Sequence, residues 1–181
     1  MKISKHNRTW LLAAALMGLT AGSSAAAETR IAVLDFELND LAGVTPTPQD
    51  ELERTASLAP LLRDALSKKE GYEVIPISKD EQTKANSSFG YLYDHPDEAA
   101  KLGGRFGADM VVVGRIHKPS FLFAYLKVRL VNAKSGKPLG ERVVEAKGNA
   151  KKVTERGIAR LAEQIDETVK LNISQARALI P

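Results

Sequence analysis

Short apolar runs alternate with helical stripes, and this alternation constrains the fold most. Residues 30–36 (RIAVLDF) form a short, β-branched apolar run and predict a buried first strand. Residues 39–48 read as a loop, broken by Asn39, Asp40, Gly43, Pro46 and Pro48. Residues 50–69 predict a helix, with Leu52, Leu58, Leu61, Leu62, Ala65 and Leu66 on one stripe. Pro60 predicts a kink or restart within it, and Gly71 ends it. Residues 72–77 predict a second strand. Ser78 and Glu81 then match a capping box that opens a short helix towards Ala85. Residues 86–94 (NSSFGYLYD) read as an aromatic loop. Residues 95–106 predict a helix with Asp94 as its cap and Pro96, Asp97 and Glu98 in its first turn. Residues 109–116 (DMVVVGRI), 121–132 and 141–147 predict three further strands, with residues 135–138 as the turn between the last two. Residues 153–171 predict a long final helix, with Ile158, Leu161, Ile165, Val169 and Leu171 near one stripe.

The order is β-α-β-α-α-β-β-β-α. Early strands separated by helices imply parallel pairing through right-handed crossovers, and the closely spaced later strands imply an antiparallel meander. The expected class is α/β (α+β): a mixed sheet of about five strands with helices packed on it.

The chain contains no cysteine. Disulfides, thiol catalysis and thiolate metal sites are therefore excluded, and stability must come from an apolar core. Residues 1–27 read as a cleavable secretory signal. Lys2, Lys5 and Arg8 precede an apolar segment from Trp10 to Leu19, and Ala25 and Ala27 suit a cut before Glu28. The segment is shorter than the roughly 20 apolar residues a bilayer span requires. The expected product is periplasmic: one domain over residues 28–172 with a short tail, 173–181, and no stable membrane anchor. Of the 26 basic and 22 acidic residues, three basic and no acidic ones lie within 1–27, leaving 23 against 22. That balance gives no support to a nucleic-acid partner.

The strings Phe36–Asp40 (FELND), Gly107–Asp109 (GAD, before VVVGRI) and His117–Leu126 (HKPSFLFAYL) resemble an exported bacterial family of unknown function, domain-of-unknown-function family 3280, also labelled 2380. The likeness spans nearly all of residues 28–181. Some relatives carry a cysteine pair before the helix that precedes GAD. This chain has Tyr91, Tyr93 and His95 there, so a thiol role does not transfer. The pattern is also similar to the small α/β domains of curli-secretion lipoproteins and of the Tol translocation protein, which are assembly parts. The resemblance implies an association with periplasmic quinoprotein alcohol-oxidation systems.

Five candidate sites follow. The carboxyl edge of the parallel strands, where open α/β sheets bind ligands, collects Asp35, Glu37, Ser78, Arg115 and His117. The first two and last two of these form a candidate small-ligand site. The competing reading has Asp35 capping a loop or pairing with Arg115. The fourth strand alternates: Leu122, Ala124, Leu126, Val128 and Leu130 point to the core, and Phe121, Phe123, Tyr125, Lys127 and Arg129 to the other face. That second face is a partner surface if exposed, and ordinary core if a helix covers it. Asp94, His95 and Asp97 are too few and too poorly spaced for a closed metal site, and helix capping explains the acids. His117 is a candidate general base, with Asp35 as its partner, but a strand-end histidine bonded to backbone explains it more simply. Ser120 lies three residues on, and no nucleophile elbow, metal-binding HExxH or phosphate loop is present. The polar face of the final helix reads as solvated.

The residues thus favour a non-enzymatic periplasmic accessory that binds a protein or small ligand. They imply no cofactor, metal or catalytic set. The alternatives are an envelope assembly subunit and a hydrolase or transferase built on His117 and Asp35.

Overall fold

A computed structural model describes residues 28–43, 45–148 and 150–178. The secretory signal at 1–27 and the last three residues of the expected tail lie outside the described residues. The elements are β1 (Thr29–Val33), β2 (Glu37–Asp40), α1 (Gln49–Ser67), β3 (Tyr72–Ile75), α2 (Lys79–Ala85), α3 (Tyr91–Asp94), α4 (Pro96–Arg105), β4 (Met110–Lys118), β5 (Phe123–Asn132), β6 (Pro138–Lys147) and α5 (Lys151–Ala178).

One mixed sheet has the order β3-β1-β4-β5-β6, with β2 also paired to β4. The β1, β2 and β3 pairings are parallel, whereas β4-β5-β6 is an antiparallel meander. The expected α/β class and mixed topology are present, with one strand more than expected. The extra strand is β2. Its residues read as loop because ELND contains no β-branched residue, but nine-residue β4 extends past β1 and offers a free edge to pair with. β1 and β2 are in effect one strand interrupted at Leu34–Phe36. The interruption swings the Phe36 ring over Gly114, where any Cβ would overlap it.

Side chains alternate across the sheet. One face buries Ile31, Val33, Val112, Ile116, Leu126 and Val128 against Leu58, Leu62 and Leu66 of α1 and Ile158, Leu161 and Ile165 of α5. The other buries Ala32, Leu34, Val111 and Val113 against α3 and α4.

Several expectations need correction at this level. α1 passes through Pro60 as a single helix, and the proline lies on its exposed side. Leu52 is 47% exposed, and the first two turns of α1 bury Glu51, Arg54 and Thr55 instead. Leu122 is not a core residue: β5 starts one residue later, and Leu122 is 71% exposed. Phe121 lies in the bend before that strand rather than in it. α5 is longer than the expected helix and continues into residues that read as tail, while Leu171 lies exposed off its stripe. Ser78 does cap α2, accepting from the Glu81 N–H at 3.3 Å. Asp94 caps nothing: α4 has no side-chain cap, and the carboxylate is directed to arginines.

Candidate functional site

The four residues expected at the carboxyl edge separate into three places. Asp35 accepts from Arg63 Nη2 at 2.9 Å, on the α1 side of the sheet. Arg115 and His117 alternate with Ile116 and Lys118, so they point to the opposite side. The pair Asp35 and His117 is therefore not assembled, and the arrangement offers no acid–base couple between them.

Glu37 and Arg115 do meet. They are register partners on β2 and β4, with Oε2 and Nη2 3.6 Å apart. Glu37 also accepts from Asn86 Nδ2 and from the Gly90 N–H, each at 2.9 Å. Gly90 has φ +81°, a left-handed conformation that favours glycine, and a Cβ there would also crowd Arg115. The Tyr93 ring sits between two guanidiniums, with Arg115 at 4.2 Å and Arg129 at 4.4 Å from its centroid. Burial, together with the nearby Glu141 charge, pushes the Tyr93 phenol up to about 12. Arg129 Nε donates to Glu141 at 3.0 Å, and Lys127 lies 3.3 Å from the same carboxylate. Burial acts most strongly on Glu141, favouring its neutral form, but hydrogen bonds and charge from Arg129 and Lys127 outweigh it and hold the carboxyl below its usual range. This network fastens α3 to the sheet and satisfies Glu37 and Arg129, while Arg115, whose buried Nε and Nη2 make no hydrogen bond, is held by ion pairs to Glu37 and Asp94 and by the Tyr93 ring.

Beyond Tyr93 the face opens. Helices α2–α4 cover β3, β1 and the start of β4. On the remaining half, Asn39, His117, Tyr125 and Lys127 are half-buried, and Phe123, Val143, Glu145 and Lys147 are exposed. Register places Tyr125 opposite His117 and Glu145, and Lys127 opposite Val143. Asn39 Nδ2 lies 3.2 Å from His117 Nδ1, within hydrogen-bonding distance. His95, the other histidine of the domain, packs against Tyr91 with ring centroids 4.4 Å apart. Among the described residues, no group of three or more His, Cys, Asp or Glu side chains is arranged to hold a metal.

Sequence reasoning missed a cluster on the α1 side. Lys118, at the end of β4, lies 3.0 Å from Glu51 of α1 and 3.3 Å from Asp40 of β2. Arg54 lies 3.7 Å from Glu51 and donates from Nε to Thr154 of α5 at 3.1 Å. All four charged side chains are at least nine-tenths buried. Burial alone favours a neutral Lys118 and is the largest influence on it, but the two carboxylates outweigh it and leave the ammonium pKa above its usual value. Burial lowers the Arg54 pKa, against the opposing charges of Glu51 and Asp50. A cleft of about 230 Å3 opens over this cluster, walled by Pro48, Phe121 and Leu122. The available signals were a lysine at the end of an apolar strand and three polar residues at buried positions of an amphipathic helix.

Residues 29–165 match the family described as DUF3280, protein of unknown function (DUF2380). The chain belongs to this family. Curated proteins show no match to this DUF3280 chain. Among solved structures it is similar to a PelC dodecamer from Paraburkholderia phytofirmans: 13% identity, TM-score 0.50, covering 75% of this chain and 86% of that one. Lipoprotein GNA1162 from Neisseria meningitidis shows 23% identity and TM-score 0.46 over 76% and 96% of the two chains. The LpoB C-terminal domain from Salmonella enterica shows 13% identity and TM-score 0.44 over 69% and 87%. No helix among the described residues is long and apolar enough to cross a membrane.

Proposed function

We propose that this protein is a non-enzymatic accessory of the bacterial cell envelope that docks a protein partner on the open half of its sheet. The carrying observation is the uncovered surface formed by His117, Phe123, Tyr125, Lys127 and Val143, where helices cover the rest of the same face. Aromatic side chains rimmed by charge are the composition of a docking patch. Separation of Asp35 from His117 weighs against the hydrolytic alternative. Export through the signal at residues 1–27 would deliver the domain to the periplasm. The family resemblance makes a quinoprotein alcohol-oxidation or transport system the first place to seek the partner.

A Tyr125→Ala/Val143→Asp variant tests the docking surface. Crosslinking in periplasm should capture a defined partner with the wild type and lose it with the variant, at matched thermal stability. Equal capture by both would dismiss this surface. A second reading, a self-assembling envelope subunit, draws on the dodecameric state of the PelC structure. It predicts a stable oligomer by light scattering, whereas the accessory reading predicts a monomer or small oligomer when the partner is absent.

A further inference from the structure

The cleft above the buried ion cluster has its polar floor on the α1 side of the sheet, and Phe123, at the start of β5, borders both it and the docking surface. Its floor has unused hydrogen-bonding capacity of both kinds. Among the described residues, two buried atoms of side chains that line the cleft make no hydrogen bond: Arg54 Nη2, a donor, and Glu51 Oε2, an acceptor. Buried polar atoms of native proteins are nearly always satisfied, so a donor and an acceptor left open in one cleft call for an occupant. Arg54 and Lys118 stand among Glu51, Asp50 and Asp40, so a simple anion would leave Glu51 Oε2 unpaired and a simple cation would leave Arg54 Nη2 unpaired. An occupant must bring an acceptor for Arg54 and a donor for Glu51 together. The walls are apolar: Pro48, Phe121 and Leu122, with Phe121 69% and Leu122 71% exposed. The volume, about 230 Å3, is below that of pockets for drug-sized ligands and limits the occupant to about a dozen heavy atoms.

We infer that this cleft binds a small zwitterion with an apolar side chain, that is, a hydrophobic α-amino acid. The carboxylate is held by Arg54, the ammonium by Glu51, and the side chain lies against Phe121 and Leu122. No covalent step is involved.

Calorimetry on the protein with L-phenylalanine and L-leucine should show one-to-one binding. Two analogues, 3-phenylpropanoate without the ammonium and phenethylamine without the carboxylate, should each bind about tenfold more weakly or worse. Arg54→Gln should abolish binding. Arg54 is buried and the variant could fail to fold, so Leu122→Asp, on the exposed rim, provides a second arm that keeps the fold and should weaken binding. Amide shifts on titration should cluster at residues 48–54 and 118–124. No binding of either amino acid to folded protein would overturn the inference. So would equal binding of the one-charge analogues, shifts elsewhere on the surface, or full affinity in folded Leu122→Asp or Arg54→Gln protein. Tyr125 and Val143 do not line the cleft, and Arg54 and Leu122 are not in the docking surface, so the Tyr125→Ala/Val143→Asp variant should keep amino-acid binding and the two readings fail or stand separately.

Discussion

Asp166 shows how one side chain can link acidity to the stability of this core. It accepts from the Tyr72 hydroxyl at 3.0 Å and from Lys170 at 2.9 Å, at the contact between α5 and β3. Burial raises its pKa and is the largest single influence, but those hydrogen bonds and the charges of Lys170 and Lys69 outweigh it and leave the carboxyl below its usual range. A depressed folded-state pKa contributes stability above the unfolded value of about 3.9 and loses it as pH falls through the folded value. Asp166→Asn should therefore lower stability near neutral pH, and its difference from wild type should shrink below about pH 4. Urea unfolding at several pH values measures this, and a difference independent of pH would refute it. Little of this was visible in the sequence, which placed Asp166 on a solvated polar face. Heptad-like patterning marks where apolar residues repeat, but a polar residue whose partner is more than 90 positions away leaves no local trace.

The elements divide in the same way. Strands β1 and β4 were legible because their apolar runs are buried on both faces, and such runs carry their own signal; β3, an edge strand with Glu73 exposed, was legible from its Val-Ile pair just before the capping box. β2 was not, because its only reason to be a strand is the exposed edge of β4. The start of α1 was misread for a related reason. Leu52 fits the stripe, but Lys118 at the end of β4 attracts Glu51 and turns the helix so that Glu51 and Arg54 face inward. The partner-face ladder was legible from Phe123 onward because alternation is reliable within a strand, and it failed at Phe121 and Leu122 where the strand stops. Lys118 consequently ties β4, β2 and α1 together. Lys118→Met removes the cation that Glu51 and Asp40 share, leaving Glu51 only the longer contact to Arg54, and should cost about 3 kcal/mol or more. Adding Glu51→Gln and Asp40→Asn to that variant should recover part of the loss, because the uncompensated charges are then gone. Chemical denaturation of the single and triple variants measures both effects, and a triple variant weaker than the single one would show that the cluster is not what Lys118 balances.

At the scale of the whole molecule the sheet separates two unequal cores. On one side α1 and α5, of 19 and 28 residues, press on a continuous apolar cluster that reaches every strand from β3 to β6. On the other, α2, α3 and α4 have seven, four and ten residues and cover a smaller cluster over β1, β4 and Ile77. Isolated helices this short are not stable in water, so their order derives from that smaller cluster and from the Tyr93 network. Elements with less buried apolar surface open at lower free energy. Native-state hydrogen exchange should therefore find α2–α4 opening before α1 and α5, with the amides of β4 and β5 protected to the level of global unfolding. Uniform protection across all five helices would mean that the sheet couples its two sides completely. The expected asymmetry places the docking surface beside the softer side, where α3 borders the open half of the sheet, and the ionic cleft within the rigid one. Partner docking should then slow exchange in α3 first, whereas an amino acid in the cleft should leave α3 unchanged and protect the first turns of α1.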